Sequence, residues 1–269
     1  MDIFVDNLVQ VWDDGGDGIL ALDGITHHFG SSKLTCLLGP SGCGKSTLVQ
    51  IIGGIEQATR GTIRIVDPAA PNAPSARPGE RSVMMWQSLN LFPWRNVIDN
   101  VAFGLEMAGV PRQQRYARAR DLIASVGLKH FEYKQCSQLS GGMRQRVALA
   151  RALIMDQPIL LMDEPFAALD AQTKIVMQEE LTRIFEQTRN TILFVTHAID
   201  EAILLGDEVV VMTARPGRIK EVIKIDLPRP RSQDLINSPE FGELYDRILH
   251  LIREEVLNAM QQQNEAAEQ

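Results

Sequence analysis

The chain has 269 residues, 45% of them hydrophobic, and a formal net charge of -7, which is ample apolar material for a core and excludes a disordered polypeptide. The acidic balance leaves no overall positive field to draw in nucleic acid or anionic lipid, so any bound anion must be gripped by a local site. Cys36, Cys43 and Cys136 form neither a C-x-x-C pair nor an even set, which argues against a disulfide framework or a cysteine metal site and fits a reducing compartment.

The N-terminal stretch MDIFVDNLVQVWDDGG is acidic and lacks the cationic start of a secretory signal, so a cytoplasmic location is expected. Trp12 and His27–His28 fall along strand-like segments. LTCLL at 34–38 reads as a strand, followed by a glycine-rich turn and a helix over 46–54. Pro68, Pro71, Pro74 and Pro78 make 67–80 a loop between two β segments. Helices are predicted over 112–126, 142–155, 171–188 and 199–205. Between and after them ILLM at 159–162, ILFV at 192–195 and EVVVM at 208–212 are uninterrupted, as strands buried on both faces should be. That alternation predicts an α/β fold around a parallel sheet. PRPRS at 228–232 marks a break. The segment 234–260 then reads as a helix with an apolar stripe from Leu235 to Val256, ending in a polar tail expected to fray. No apolar run approaches the roughly 20 residues of a membrane span.

The turn after LTCLL fits G-x-x-x-x-G-K-[ST], with Gly39, Gly44, Lys45 and Ser46 in the fixed places. Glycines let successive N–H groups curl around a phosphate, a lysine reaches the β and γ oxygens, and a serine hydroxyl ligates Mg²⁺. At average usage the four positions arise by chance in roughly one chain of this length in a hundred. A strand before and a helix after sharpen the signal, and a bound triphosphate is the expectation.

Two further strands end in polar groups. PILLM runs into Asp163 and Glu164, one carboxylate for the metal ion and a neighbour for the attacking water. TILFV runs into Thr196 and His197, and in open α/β sheets ligands bind at those carboxyl ends. Leu139-Ser140-Gly141-Gly142 opens the helix RQRVALARAL with a capping serine and two glycines, a second anion site that one nucleotide does not obviously need.

At this point the chain resembles the nucleotide-binding subunits of ATP-binding-cassette transporters. GPSGCGKST is similar to their Walker A motif, LSGGMRQ to the signature, ILLMDE to Walker B, and ALD at 168–170 to the D-loop; Gln87 matches the Q-loop glutamine and His197 the switch histidine. The resemblance covers about residues 3–225. It implies a P-loop fold with a RecA-like core, an antiparallel β subdomain and a helical signature subdomain near 90–155, the cassette spanning 1–227 and a helical extension 228–269. It further implies that Gly39, Pro40, Ser41, Gly42, Cys43, Gly44, Lys45, Ser46 and Thr47 hold ATP. Ser140, Gly141, Gly142 and Gln145 of a second copy would close on the same nucleotide, with Asp170 linking the two sites. Glu164 would act on the water, His197 on the γ-phosphate, and Ser46, Gln87 and Asp163 would hold or sense Mg²⁺.

The implied partners are a homodimeric mate, two membrane permease subunits and, indirectly, a solute-binding protein, on the cytoplasmic face of the inner membrane. PWRN, DNVAFGLE, PFAALDAQ and ARPGRI are similar to the branch that imports nitrate, sulfonates, taurine or bicarbonate. Phe92 and Trp94 are expected in a groove for a short permease helix, and Phe103 in interior packing. The alternatives are a DNA-repair or translation ATPase of the same superfamily, or a regulatory ATP-binding module. No heptads fit between Lys45 and Leu139, only one cassette is present, and Glu164 is superfluous in a pure sensor.

Three positions depart from the family pattern. Trp12 stands for the usual adenine-stacking aromatic residue, Ser32–Lys33 replaces Gly-Glu, and Ala198 follows His197 where an acidic residue is common, which predicts a thinner polar network around the histidine.

Overall fold

The computed structural model describes residues 1–13, 15, 16 and 18–267, the side chains of 262–267 excepted. Three antiparallel strands, β1 (Asp2–Trp12), β2 (Ile19–Phe29) and β4 (Arg60–Val66), form one sheet in the order β2-β1-β4. A second sheet contains β3 (Leu34–Leu38), β5 (Ser82–Met85), β6 (Ile159–Asp163), β7 (Thr191–Val195), β8 (Glu208–Met212) and β9 (Ile219–Lys224). Its order is β5-β6-β7-β3-β8-β9, parallel except for the edge strand β9.

Every residue of β3, β6, β7 and β8 is buried, because both faces of the second sheet are covered. Side chains alternate between two cores, as a period of two demands. Leu37, Leu161, Leu193 and Val210 face the helix α1 (Lys45–Ile52) and the apolar side of the antiparallel sheet. Cys36, Met162, Phe194 and Val211 face the other core. There they meet α5 (Gly141–Leu153), α6 (Ala171–Thr188), α7 (Ile199–Leu205) and α8 (Pro239–Ala267). Three more helices, α2 (Val97–Val101), α3 (Phe103–Met107) and α4 (Arg112–Ser125), pack beside α5.

The predicted strands and helices recur within one or two residues of their expected ends. The terminal segment differs: Gln233–Asn237 is a 3₁₀ turn, Ser238 breaks it, and only then does α8 begin. Ile236 is therefore solvent-exposed, outside the stripe predicted for it. Phe241 and Ile248 carry the stripe, with Leu244, Tyr245, Leu251 and Ile252 packed against the same core. The helix runs on through the polar tail to Ala267; residues 268 and 269 lie outside the described residues. No helix among the described residues is long and apolar enough to cross a membrane.

Candidate nucleotide site

The site is built at the carboxyl ends of the parallel strands. Between β3 and α1 the chain turns through Gly42 and Gly44 at φ +75° and +100°, where a side chain would be strained. A methyl group on Gly44 would also fall 2.5 Å from Leu22 Cδ2. The N-terminus of α1 is left open to a ligand, its first residue Lys45 only 5% exposed. Lys45 Nζ donates to the carbonyl oxygens of Gly39 and Pro40, each at 2.9 Å. Cys43 is buried beside it, and burial raises its thiol pKa, so this residue has only its backbone to offer a phosphate.

Ser46 Oγ donates to Asp163 Oδ1 at 2.9 Å, joining α1 to the end of β6. Burial pushes the Asp163 carboxyl above its ordinary range; the neighbouring Glu164 adds to this, and the Ser46 hydrogen bond opposes it. Glu164 Oε2 is shared: Gln87 Nε2 donates to it at 2.9 Å and His197 Nε2 lies 2.8 Å away. Three strand ends thus converge on one carboxylate. The strand order makes this possible, since β6 lies between β5 and β7.

Trp12, Ser41, Gly42, Gly44, Lys45, Ser46, Thr47, Gln87 and Glu164 line one cleft of about 300 Å³. Trp12 is half-buried at its wall and not sealed in a core. Asp163 reaches it through Ser46, and His197 through Glu164. A hydroxyl and a carboxylate at this spacing, with an amide nearby, are hard oxygen donors suited to Mg²⁺, which takes only one or two protein carboxylates and completes its shell from phosphate and water.

Ser140, Gly141, Gly142 and Asp170 do not line this cleft. Ser140 caps α5, accepting from Met143 N–H at 3.3 Å, and Asp170 caps α6, accepting from Thr173 N–H at 3.0 Å. The two caps adjoin: a methyl on Gly142 would meet Thr173 Cγ2 at 2.9 Å, whereas Gly141 has open space. The backbone-to-carboxylate hydrogen bond holds the Asp170 carboxyl below its ordinary range. Gln145 is 1% exposed, so its side chain faces the interior of its own chain.

Sequence reasoning missed two residues here. Arg215 lines the same cleft. Glu201, buried behind His197, accepts from Thr196 Oγ1, which in turn accepts from Ala198 N–H at 3.0 Å. The polar network expected to be thin at Ala198 is therefore supplied from α7. An acidic residue one helical turn after the histidine was the available signal.

A second depression of about 500 Å³ lies between the sheet edge and the helices, lined by Phe92, Phe103, Met107 and Met155 among others. Phe103 belongs to this wall and not to the interior packing expected of it, its ring 4.5 Å from that of Phe92. Trp94 is 74% exposed and stands outside it.

The chain matches the family described as ABC transporter over residues 22–167. An uncharacterized ABC transporter ATP-binding protein of Methanocaldococcus jannaschii is 46% identical over 95% of this chain and 93% of its own length. A taurine import ATP-binding protein of Burkholderia pseudomallei is 41% identical over 84% of this chain and 87% of its own length. Among solved structures, a dimeric ATP-binding cassette in a post-hydrolysis state with ADP and Pi superimposes with a TM-score of 0.71 at 27% identity, covering 84% of this chain and all of that one.

Proposed function

The chain belongs to the ABC transporter family, and from that premise we propose that it is the subunit whose ATP hydrolysis drives import of a small solute through a separate membrane permease. It is an ATPase of the cassette type. The observation that carries the reading is the convergence of Lys45, Ser46 and Asp163 with a Glu164 carboxylate held by both Gln87 and His197.

In this reading Lys45 exchanges the Gly39 and Pro40 carbonyls for phosphate oxygens, and the open amides from Ser41 to Thr47 receive the rest of the polyphosphate. Ser46 and Asp163 would hold Mg²⁺, with Gln87 beside them. Its chemistry there would be to offset negative charge on the polyphosphate. Glu164 takes a proton from the attacking water, and His197 and Gln87 fix the carboxylate that does so. Trp12 offers its ring to the adenine.

Ser140, Gly141 and Gly142 act on the nucleotide of a second copy. Support comes from their absence from the lining of the chain's own cleft, the open space at Gly141, and the dimeric state of the similar solved cassette. Charge-stabilising groups then arrive only on assembly. The cassette spans 1–227 with its helical subdomain near 90–155, and 228–269 is an extension.

In each copy of the dimer the apolar depression at Phe92 and Phe103 receives a short helix from one of the two permease subunits, which keeps the protein peripheral, on the cytoplasmic face. The taurine-import relatives favour a small anionic or zwitterionic cargo of the nitrate, sulfonate, taurine or bicarbonate kind, delivered by a solute-binding protein.

Glu164→Gln is expected to bind ATP, accumulate as a Mg-ATP-dependent dimer, and lose turnover by about a hundredfold or more. Size-exclusion chromatography with and without Mg-ATP, beside a phosphate-release assay, checks both. A monomer under every condition would overturn the composite site.

A further inference from the structure

Five parallel strands end side by side in the order β5, β6, β7, β3, β8. Four of those ends lead into groups already given a role: Gln87, the Asp163–Glu164 pair, His197 and the phosphate loop. The fifth runs through Thr213 and Ala214 to Arg215, and Arg215 lines the same cleft of about 300 Å³.

Its guanidinium is weakly engaged. Nε and Nη2 lie 3.4 and 3.3 Å from the Gly42 carbonyl oxygen, at the long limit of hydrogen bonding. A guanidinium has five N–H donors in a planar fork that matches phosphate oxygens, and these two contacts leave the others available. Among the described residues Lys45 and Arg215 are the two cations on the wall, which also carries Glu164.

The loop that carries Arg215 is held on both sides. A methyl on Gly217 would fall 2.0 Å from the Cys43 carbonyl oxygen, so the loop seats directly on the phosphate loop. On the far side Ala214 N–H donates at 2.8 Å to Glu255 of α8, a carboxylate only 5% exposed that also meets Lys220 at 2.7 Å. An arginine on so constrained a loop loses little backbone freedom on binding.

We propose that Arg215 is a further nucleotide-binding residue, its guanidinium passing from the Gly42 carbonyl to the polyphosphate. The proposal rests on the ATPase reading above. It is tested by equilibrium titration of the full chain with Mg-ATP for the wild type, Arg215→Ala, Arg215→Lys, Arg215→Gln and Lys45→Ala, with thermal melting of each.

Arg215→Ala is expected to weaken binding roughly tenfold, the scale of a charged hydrogen bond. Lysine should recover most of the loss, and glutamine, which still donates to Gly42 but carries no charge, should not. Wild-type affinity in the glutamine variant would make the contact a brace for the loop and overturn the proposal. So would unchanged affinity in all three, or an alanine variant that binds normally and fails only to dimerise. Equal binding by wild type and Lys45→Ala would instead overturn the ATP site itself.

Discussion

Glu164 is the pivot of the site, and its backbone lies at φ +47°, in the left-handed region that non-glycine residues rarely occupy. Its N–H is held by the Val195 carbonyl at 3.1 Å, so β7 keeps that turn in place and aims the carboxylate at Gln87 and His197. His197 itself is half exposed and depends on its neighbours. Thr196 and Ala198 are tied together through the threonine hydroxyl, and that hydroxyl is tied to Glu201. Glu201 also takes Gln178 Nε2 at 3.1 Å and Lys174 Nζ at 3.3 Å. Glu201→Ala should therefore let His197 drift and lower kcat about tenfold to a hundredfold, since small misplacements of a reacting group are costly. ATP affinity should hold, because Glu201 touches no part of the cleft. A phosphate-release assay beside an ATP titration separates the two; a loss of affinity equal to the loss of kcat would refute the positioning role. The histidine was legible from its place after a buried strand. Its support was only half legible: the chain shows an acidic residue four positions on, but that Glu201 turns inward to the Thr196 hydroxyl is decided by the fold.

Helix α5 shows how an element can be legible in outline while its partner is not. The Ser140 cap, the two glycines and the apolar run that follows announce its start, and the helix begins at Gly141 as that chemistry requires. What periodicity could not show is that Gly142 seats against Thr173 at the head of α6, which brings the Ser140 and Asp170 caps onto one surface. Ser140→Arg is expected to leave ATP binding by the isolated chain nearly intact while abolishing hydrolysis. In the proposed composite site the bulky cation would occupy the space that a second copy enters. Titration with Mg-ATP and a turnover assay decide it, and loss of binding in the monomer would count against a role in trans. The edge elements were hardest to read. β9 shows exposed and half-buried positions with a single buried residue, and β5 has only four residues, so neither carries enough apolar pattern to stand out.

At the scale of the whole molecule the segment after residue 227 is bound to the rest of the chain, and PRPRS, read from the sequence as a break, is a staple. Arg231, 8% exposed, donates to the carbonyls of Ile203, Gly206, Ile225 and Leu227, and Arg229 pairs with Asp207 at 2.8 Å. Two cations thus satisfy the carboxyl end of α7, where the helix dipole favours positive charge. Burial lowers the pKa of Arg231 to about 10, which still leaves it charged at neutral pH. Arg231→Ala should strand several buried carbonyls and cost about 2–4 kcal/mol. Thermal or urea unfolding measures this, and a change within error would mean that water replaces the guanidinium. Composition alone showed this segment as a break between elements, because proline ends regular structure and the burial of an arginine is decided by the residues it meets.

The amino-acid order by itself determined the α/β class, the buried strands, the phosphate loop and the polar residues at strand ends. These follow from local rules: continuous apolar runs, glycine where backbone must stay bare, and a lysine and hydroxyl at fixed spacing. The tertiary structure alone decided which of those ends meet. Strand order sets Gln87, Glu164 and Arg215 around one cleft, with His197 against Glu164, although up to 128 residues separate them, and Ser140 does not line that cleft. Hydrogen-bonded pairing between strands distant along the chain is a long-range choice, settled by how the two cores close over the sheet.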